Sequence, residues 1–219
     1  MTKIIVRTTG NKVKIRLREE AKAPVAQSAT GAEPVKLSGT EATTKSKLLL
    51  SDRVINLMEI RAESSFRPNE EDVELVYALS GPNLNTPDML HKLSSRKVVE
   101  EANQTYVVSS VQGVIEHIIK ERDDEPSLVV LLHTHPRSTP QPSGDDKRYF
   151  RTTSQTISVM IPGANIVFGV HAISSESIRE RQTPIKVSKN TIKWSSITKE
   201  HEVAFYALDA KPYEVDIIE

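Results

Sequence analysis

The chain has 219 residues, of which 37% are hydrophobic, and its 29 basic residues balance its 29 acidic ones. A chain of this size can bury one sizeable core, and its zero net charge gives no electrostatic indication of a nucleic acid or an anionic membrane as a partner. It has no cysteine, which excludes disulfides and a thiol nucleophile, and no apolar stretch of membrane-spanning or signal-peptide type, so we expect a cytoplasmic protein that binds neither membrane nor nucleic acid.

The first 45 residues predict an appendage and a linker in front of the main domain. Two short, basic, strand-like segments flank Gly10-Asn11, a hairpin turn signal, so residues 1–19 predict a β-hairpin. Residues 20–45 are rich in Ala, Pro, Ser, Thr, Gly and Lys and cannot bury enough apolar surface to offset the entropy of ordering. They predict a flexible linker, and the main domain is expected over residues 46–219.

The pattern of apolar residues predicts alternating helices and strands in the main domain. Apolar residues at helical spacing predict two helices, Leu48–Glu63 and Ser94–Glu121. An apolar run predicts a strand over Val73–Ser80, and the Pro- and Asn-containing segment Gly81–Lys92 predicts a loop. Further strands are expected at Ile157–Ile161, Ile166–Val170, Thr191–Trp194, Val203–Leu208 and Tyr213–Ile217. This mixture predicts the α/β class, with a mixed, curved sheet flanked by helices.

Two histidines at the end of an apolar run are the most informative feature of the sequence. Ser127–Leu132 is a nearly continuous apolar run, which predicts a strand buried on both faces, and His133 and His135 continue it. Residues two apart on a strand point to the same face of a sheet, so both imidazoles can reach one metal ion. A catalytic zinc ion takes three protein ligands and keeps one position for water, and these histidines would supply two of the three.

The third ligand is expected from the residues that follow this strand. Pro136 cannot extend a strand ladder, and the proline-rich stretch 137–142 predicts a loop. Ser143 then begins a helix that has Asp146 in its first turn. The sequence therefore predicts one zinc ion bound by the two histidines and Asp146. The same serine and aspartate also match a helix capping box, in which they satisfy backbone donors instead of a metal ion.

Four other histidines are not expected among the ligands. His91 falls in the predicted loop, where a surface role or none is expected, and His117 lies partly exposed in a predicted helix. His171 follows a predicted strand and is expected in the core or behind the metal ligands. His201 lies in a charged turn and is expected to be solvated.

The arrangement H-x-H-x7-S-x-x-D resembles the signature of the JAMM (MPN+) metalloprotease family. That family also needs a glutamate on an earlier strand, commonly before an apolar stretch that ends in glycine. The segment E-L-V-Y-A-L-S-G, from Glu74 to Gly81, matches this position, although Tyr77 and Ala78 stand where many members carry a glycine. We prefer Glu74 because it alone opens the apolar run, whereas three other acids lie just before it: Glu70, Glu71 and Asp72.

The resemblance implies the MPN (cytidine-deaminase-like) fold, with the N-terminal hairpin as an appendage, and the activity of a zinc-dependent, deubiquitinase-like isopeptidase. One Zn²⁺ per chain, held by His133, His135 and Asp146, would activate a water molecule. Glu74 would act as the general base, and the Ser143 hydroxyl would hydrogen-bond the oxyanion. The implied substrates are bonds that follow the C-terminal tail of ubiquitin or a ubiquitin-like modifier.

The resemblance extends to archaeal or bacterial members and to proteasome-lid members, and the P-S-G-D-D ending of the motif favours the prokaryotic kind. The partners it implies are conjugates of ubiquitin-like modifiers, the proteasome or another MPN protein, and a second copy of the chain in a homodimer. Two alternative functions stay open. One is a JAMM hydrolase that releases an amino acid or short adduct from a ubiquitin-like sulfur-carrier protein; the other is a non-catalytic MPN scaffold subunit, a class that usually lacks the ligands present here.

Overall fold

The computed structural model describes part of the chain in full and four short strands by their backbone alone. The full description covers residues 47–66, 72–93, 110–174 and 180–219, and the backbone description covers residues 5–8, 13–16, 99–102 and 107–109. The predicted linker, residues 20–45, lies outside the described residues, as do Glu70 and Glu71.

Residues 1–42 and 43–219 form two separate compact units. In the first unit, β1 (Ile5–Thr8) pairs with β2 (Val13–Arg16) as an antiparallel hairpin. The predicted domain boundaries, after residues 19 and 45, stay predictions.

The second unit is built around one mixed sheet. Its elements are β3 (Leu48–Ser51), α1 (Asp52–Glu63), β4 (Val76–Gly81), β5 (Met89–Lys92), β6 (Val99–Ala102), β7 (Val107–Ser109), α2 (Val111–Arg122), β8 (Leu128–Pro136), α3 (Gly144–Met160), β9 (Asn165–Ser174), β10 (Gln182–Ser188), β11 (Thr191–Ser195), β12 (Glu200–Tyr206) and β13 (Val215–Ile218). Seven strands form a sheet in the order β10-β11-β12-β9-β8-β4-β5, in which β8 and β9 are parallel and the other neighbours antiparallel. The predicted α/β class, with a mixed, curved sheet flanked by helices, is confirmed.

Strand β8 is an interior strand of the sheet, between β9 and β4, and both of its faces are covered. Val129 and Leu131 pack in one buried cluster that includes residues of α2 and α3. Leu128, Val130 and Leu132 pack in a second cluster that includes residues of α1. Burial on both faces explains why the run before His133 is continuously apolar instead of alternating.

The single helix predicted over Ser94–Glu121 is wrong. Helix α2 begins only at Val111, after the short strands β6 and β7. Ser110 caps the helix, because its side-chain oxygen accepts a hydrogen bond from Gly113 N at 3.2 Å. The valines before this cap are β-branched and therefore suit strands.

Three further predicted segments also differ in the structure. The helix predicted over Leu48–Glu63 begins only at Asp52, after the N-cap Ser51, because Leu48–Ser51 form β3, which pairs with β13. Ile157–Ile161, predicted as a strand, belongs mostly to α3, where Ile157 is buried at helical spacing from Phe150 and Thr153. The predicted loop Gly81–Lys92 ends in β5, which is an edge strand paired with β4. None of the described helices is both long and apolar enough to cross a bilayer.

Gly81, which ends the glutamate-containing motif, has a steric role. A Cβ atom at this position would lie 2.1 Å from the Thr86 carbonyl oxygen, closer than any real contact. The turn that leads from β4 to β5 brings the backbone of Gly81 and the backbone of Thr86 this close together. Glycine is therefore required here by a backbone approach.

Candidate metal centre

Two neighbouring strands and one helix bring four side chains together at one end of the sheet. His133 and His135 lie near the end of β8, and Asp146 lies in the first turn of α3. Glu74 lies in the extended segment directly before β4. The side chains of all four are mostly shielded from solvent.

Three of these side chains have the spacing of metal ligands. His133 Nε2 lies 3.0 Å from His135 Nε2 and 3.1 Å from Asp146 Oδ1, and His135 Nε2 lies 3.6 Å from Asp146 Oδ2. Zinc bonds of about 2.0–2.1 Å at tetrahedral angles place ligand atoms roughly 3.3 Å apart. Among the described residues, this is the one group of three histidine or carboxylate side chains that could hold a metal ion. The three donors therefore fit around a single ion.

The pairing of β4 with β8 determines where Glu74 lies. The antiparallel register places Val76 opposite His133. Two hydrogen bonds extend the pairing by one residue: Leu75 N donates to Thr134 Oγ1 at 2.8 Å, and Thr134 N donates to Leu75 O at 2.9 Å. Continued by one more residue, this register would place Glu74 opposite His135, and Glu74 Oε1 lies 3.9 Å from His135 Nε2. Glu74 thus lies beside the three-residue group without being hydrogen-bonded to it.

The neighbouring acid Asp72 is engaged elsewhere. Arg137 Nε donates to Asp72 Oδ2 at 2.7 Å, which continues the same register two residues beyond Glu74. Val73 N also donates to Ser65 O at 3.1 Å, so the segment before β4 is held on its other side. Of the two acids in this segment that the structure describes, Glu74 is the one beside the histidines.

Electrostatics separate the two carboxyl groups of the site. Burial raises the pKa of Glu74 to about 7; His135 opposes this rise and Asp146 adds to it. Burial alone would also raise the pKa of Asp146, but hydrogen bonds with His133, His135 and Ser143 hold that pKa well below its usual range. Asp146 is therefore a carboxylate throughout the neutral range, while Glu74 can exchange a proton there.

A backbone carbonyl determines the tautomer of His135. The ring nitrogen His135 Nδ1 lies 3.1 Å from the carbonyl oxygen of Thr139. A carbonyl oxygen only accepts hydrogen bonds, so Nδ1 donates this bond, and in the neutral imidazole Nε2 then keeps a lone pair. Such a bond is the usual way in which proteins orient a metal-binding imidazole.

The capping box expected as an alternative is also present. Ser143 Oγ accepts a hydrogen bond from Asp146 N at 3.1 Å, and Asp146 Oδ2 accepts one from Ser143 N at 2.7 Å. Asp146 directs its other oxygen, Oδ1, toward His133. The cap and the metal-ligand interpretation are therefore compatible, because the carboxylate uses a different oxygen for each.

The expectation that His91 lies in a loop with a surface role or none is wrong. His91 is fully buried in β5, where its Nε2 lies 2.7 Å from Ser80 Oγ and its Nδ1 lies 2.6 Å from Glu121 Oε2. A hydroxyl, an imidazole and a carboxylate in line resemble a nucleophilic triad. Ser80 is fully buried as well, so this hydroxyl cannot meet a substrate, and the line ties β4, β5 and α2 together.

The expected solvation of His201 is also wrong, because His201 belongs to a second buried network. Tyr77 Oη lies 2.7 Å from His171 Nδ1, and His171 Nε2 lies 3.0 Å from His201 Nδ1. The Trp194 ring stacks on His201 with 5.0 Å between ring centroids. Tyr77, which stands where the family resemblance would suggest a glycine, is thus part of a hydrogen-bonded core, and His171 is a core residue as expected.

The comparison with known families agrees with this geometry. The family of prokaryotic homologs of the JAB domain (Prok-JAB) matches residues 53–182, which is more than half of the chain. The matched range includes Glu74 and the segment from β8 to α3 that carries the other site residues. No curated protein matches the chain significantly.

Proposed function

The chain belongs to the family of prokaryotic JAB-domain homologs, and on that premise we propose that it is a zinc-dependent hydrolase. Its proposed reaction is cleavage of the peptide or isopeptide bond that follows the C-terminal tail of a ubiquitin-like modifier. One observation carries the proposal: a buried carboxyl group, Glu74, lies directly beside three side chains with the spacing of metal ligands.

The donor set suits a catalytic zinc ion. Two imidazoles, from His133 and His135, and one carboxylate, from Asp146, are ligands that zinc accepts, and three protein donors leave a position for water. When bound, a zinc ion would act as a Lewis acid and would lower the pKa of a water molecule. The remaining steps belong to side chains of the protein.

Glu74 is the proposed proton carrier. A general base works best when its pKa lies near the working pH, and burial raises the pKa of Glu74 to about 7. A cation bound beside it would lower this pKa and favour the carboxylate form. In the proposed reaction Glu74 accepts a proton from water at a carboxylate oxygen and later donates it to the departing amine.

The hydroxyl proton of Ser143 is available to donate a hydrogen bond. Its Oγ accepts a hydrogen bond from Asp146 N, which uses a lone pair and leaves the O–H bond available to donate. We propose that this O–H group donates to the oxygen of the scissile carbonyl as negative charge develops there. The same side chain would then cap α3 and stabilise the transition state.

The sheet offers an edge for an extended substrate tail. β5 is the outermost strand next to β4, and the register places Lys92 opposite Tyr77, three residues from Glu74. An extended tail that pairs with an exposed strand edge receives main-chain hydrogen bonds along its length. This mode of binding would deliver the end of a ubiquitin-like tail toward the candidate metal centre.

The first test joins metal content with cleavage in the full-length protein. The metal content of the purified chain is measured first, and the chain is then incubated with ubiquitin-like proteins whose C-terminus is joined to a lysine or to a small amine. We expect about one zinc ion per chain and cleavage that stops with a chelator and returns with zinc. Glu74→Gln should keep zinc and lose cleavage by a factor of about 10² or more, whereas His135→Ala should lose both.

Two exposed or partly exposed residues of α2 provide matched controls. Glu116→Gln and His117→Ala make the same chemical changes away from the site and should leave zinc content and cleavage unchanged. Release of the small amine without isopeptide cleavage would indicate the sulfur-carrier type of hydrolase. Zinc without any cleavage would favour a non-catalytic subunit, and absence of zinc from the wild-type chain would overturn the proposal.

A further inference from the structure

Tyr206, the last residue of β12, contacts both the loop that joins β8 to α3 and the helix α3. Its hydroxyl donates to the carbonyl oxygen of Pro140 at 2.8 Å, within the loop that joins β8 to α3. Its ring stacks near Phe150 of α3, with 6.2 Å between ring centroids and 29° between ring planes. We infer that Tyr206 is a positioning residue for the metal centre, whose hydroxyl holds this loop so that His135 keeps its orientation.

The loop contact places Tyr206 one peptide from the group that orients His135. Pro140 follows Thr139, whose carbonyl oxygen lies 3.1 Å from His135 Nδ1. At its start the loop is anchored by Arg137, which has a left-handed φ of 56° and whose N–H donates to Ile173 O at 2.7 Å. The Tyr206 hydroxyl supplies an anchor on the other side of Thr139. Removing it leaves the Pro140 carbonyl without this donor and leaves the Thr139 peptide less constrained.

The ring contact reaches the helix that carries Asp146. Phe150 lies four residues after Asp146, which places both on one side of α3. Phe150 also stacks on Phe168 of β9, with 4.3 Å between ring centroids. The Tyr206 ring therefore belongs to an aromatic cluster beneath the first turns of α3. A phenylalanine at position 206 would keep this ring packing and remove the hydroxyl alone.

Tyr206 is suited to act as a permanent donor. Its side chain is largely buried, and Pro140 beside it is buried as well. Burial, with a smaller contribution from the negative charge of Glu202, raises the pKa of Tyr206 to about 12. The hydroxyl stays protonated at every pH at which the protein would work, and a carbonyl oxygen always accepts.

This inference rests on the metal centre of the proposed function, and Tyr206→Phe tests it. Mutation of groups that orient metal ligands commonly weakens metal binding about 10- to 100-fold, and we expect at least the lower value here. Affinity for Co²⁺, used as a spectroscopic probe, is measured by titration against a competing chelator. The tautomer of His135 is measured without metal from its ring ¹⁵N chemical shifts, which should move toward a mixture of the two tautomers in the variant.

Tyr213→Phe is the matched control. The Tyr213 hydroxyl accepts a hydrogen bond at 2.7 Å from Nδ2 of Asn165, the first residue of β9. Both variants remove one hydrogen-bonded hydroxyl, so a general loss of stability would affect both. We expect weaker Co²⁺ binding and an altered His135 tautomer in Tyr206→Phe alone.

The outcomes separate this inference from the proposed function. Equal Co²⁺ affinities and equal His135 spectra in the wild type and Tyr206→Phe would overturn the positioning role and leave the metal centre intact. Equal effects of the two tyrosine variants would also overturn it, since the role would then be merely structural. A wild-type chain that binds no Co²⁺ would overturn the metal centre and this inference together.

Discussion

Replacement of Thr134 by valine tests how the structure places Glu74 beside the histidines. Thr134 lies between His133 and His135 and is fully buried. Its Oγ1 accepts a hydrogen bond from Leu75 N at 2.8 Å, next to Glu74. Valine has nearly the same shape, so Thr134→Val creates neither a cavity nor a clash. The change removes one acceptor from a buried donor and leaves the backbone bond from Thr134 N to Leu75 O in place.

The expected cost follows from that single lost acceptor. A buried N–H group left without a partner costs about 1–3 kcal/mol. In a domain of this size, each kcal/mol lowers the melting temperature by about 2–4 °C, so Thr134→Val should melt roughly 2–12 °C below the wild type. Because the backbone of β8 is unchanged, His133 and His135 should keep their metal affinity. Cleavage should nevertheless fall, because the segment that carries Glu74 loses one of its two hydrogen bonds to β8.

The assay combines urea unfolding, Co²⁺ titration and cleavage, with Thr191→Val as the matched control. Thr191, in β11, is also buried, and among the described residues its hydroxyl makes a single long hydrogen bond, of 3.4 Å, to Asn190 Oδ1. The control should stay within about 0.5 kcal/mol of the wild type. Unfolding midpoints that are equal for the two variants would refute the reasoning. So would a loss of metal affinity that accompanies the loss of cleavage in Thr134→Val.

Two further predictions concern Ser143 and the buried histidines. Ser143→Ala removes the side-chain cap of α3, which should cost about 1 kcal/mol in urea unfolding, while Asp146 keeps its bond from the backbone N–H of residue 143 and zinc content is unchanged. If the hydroxyl also stabilises the oxyanion, cleavage should fall about 10²- to 10³-fold; full cleavage would leave Ser143 as a cap only. Burial lowers the pKa of His201 to about 4, against the opposing charge of Glu63, and burial together with His201 holds the pKa of His171 well below its usual range. The unfolded chain binds protons at these histidines more readily than the folded protein does. Their contribution to the free energy of unfolding is therefore complete above about pH 6.5 and is lost as the pH falls toward 4, by roughly 2 kcal/mol for His201 at pH 5. Urea unfolding at pH 7.5 and pH 5 should show a smaller loss in His201→Gln than in the wild type or His117→Gln, and equal losses in all three would contradict it.

Local patterns in the sequence were sufficient for the elements that carry the candidate ligands. The apolar run before His133 predicted the doubly buried strand β8, because burial on both faces needs apolar residues at every position. The proline after His135 and the serine at position 143 predicted the loop and the start of α3, because each acts through its own backbone geometry. The prediction of secondary structure failed where the same residue pattern is compatible with two kinds of element. The valines before Ser110 lie at spacings that suit a helix or a strand, and the cap at Ser110 decides for two strands and a shorter helix.

Burial of single polar residues could not be predicted in the same way. His91 and His201 lie in segments rich in polar or charged residues, yet both are fully buried. Each histidine can be buried because strands or helices distant in the sequence supply its hydrogen-bond partners. These are Ser80 and Glu121 for His91, and His171 for His201. Burial of a polar side chain requires hydrogen-bond partners, and no local window of the sequence contains these partners.

The sequence by itself determined the identity and local spacing of the candidate ligands His133, His135 and Asp146, because a strand and a helix start impose that spacing within one short segment. Only the tertiary structure decided that Glu74 stands beside them, since its position depends on the register between β4 and β8. The same holds for Tyr206, whose hydroxyl meets Pro140 across a separation of 66 residues. Such contacts result from the packing of distant elements, and the order of residues within any one element does not encode them.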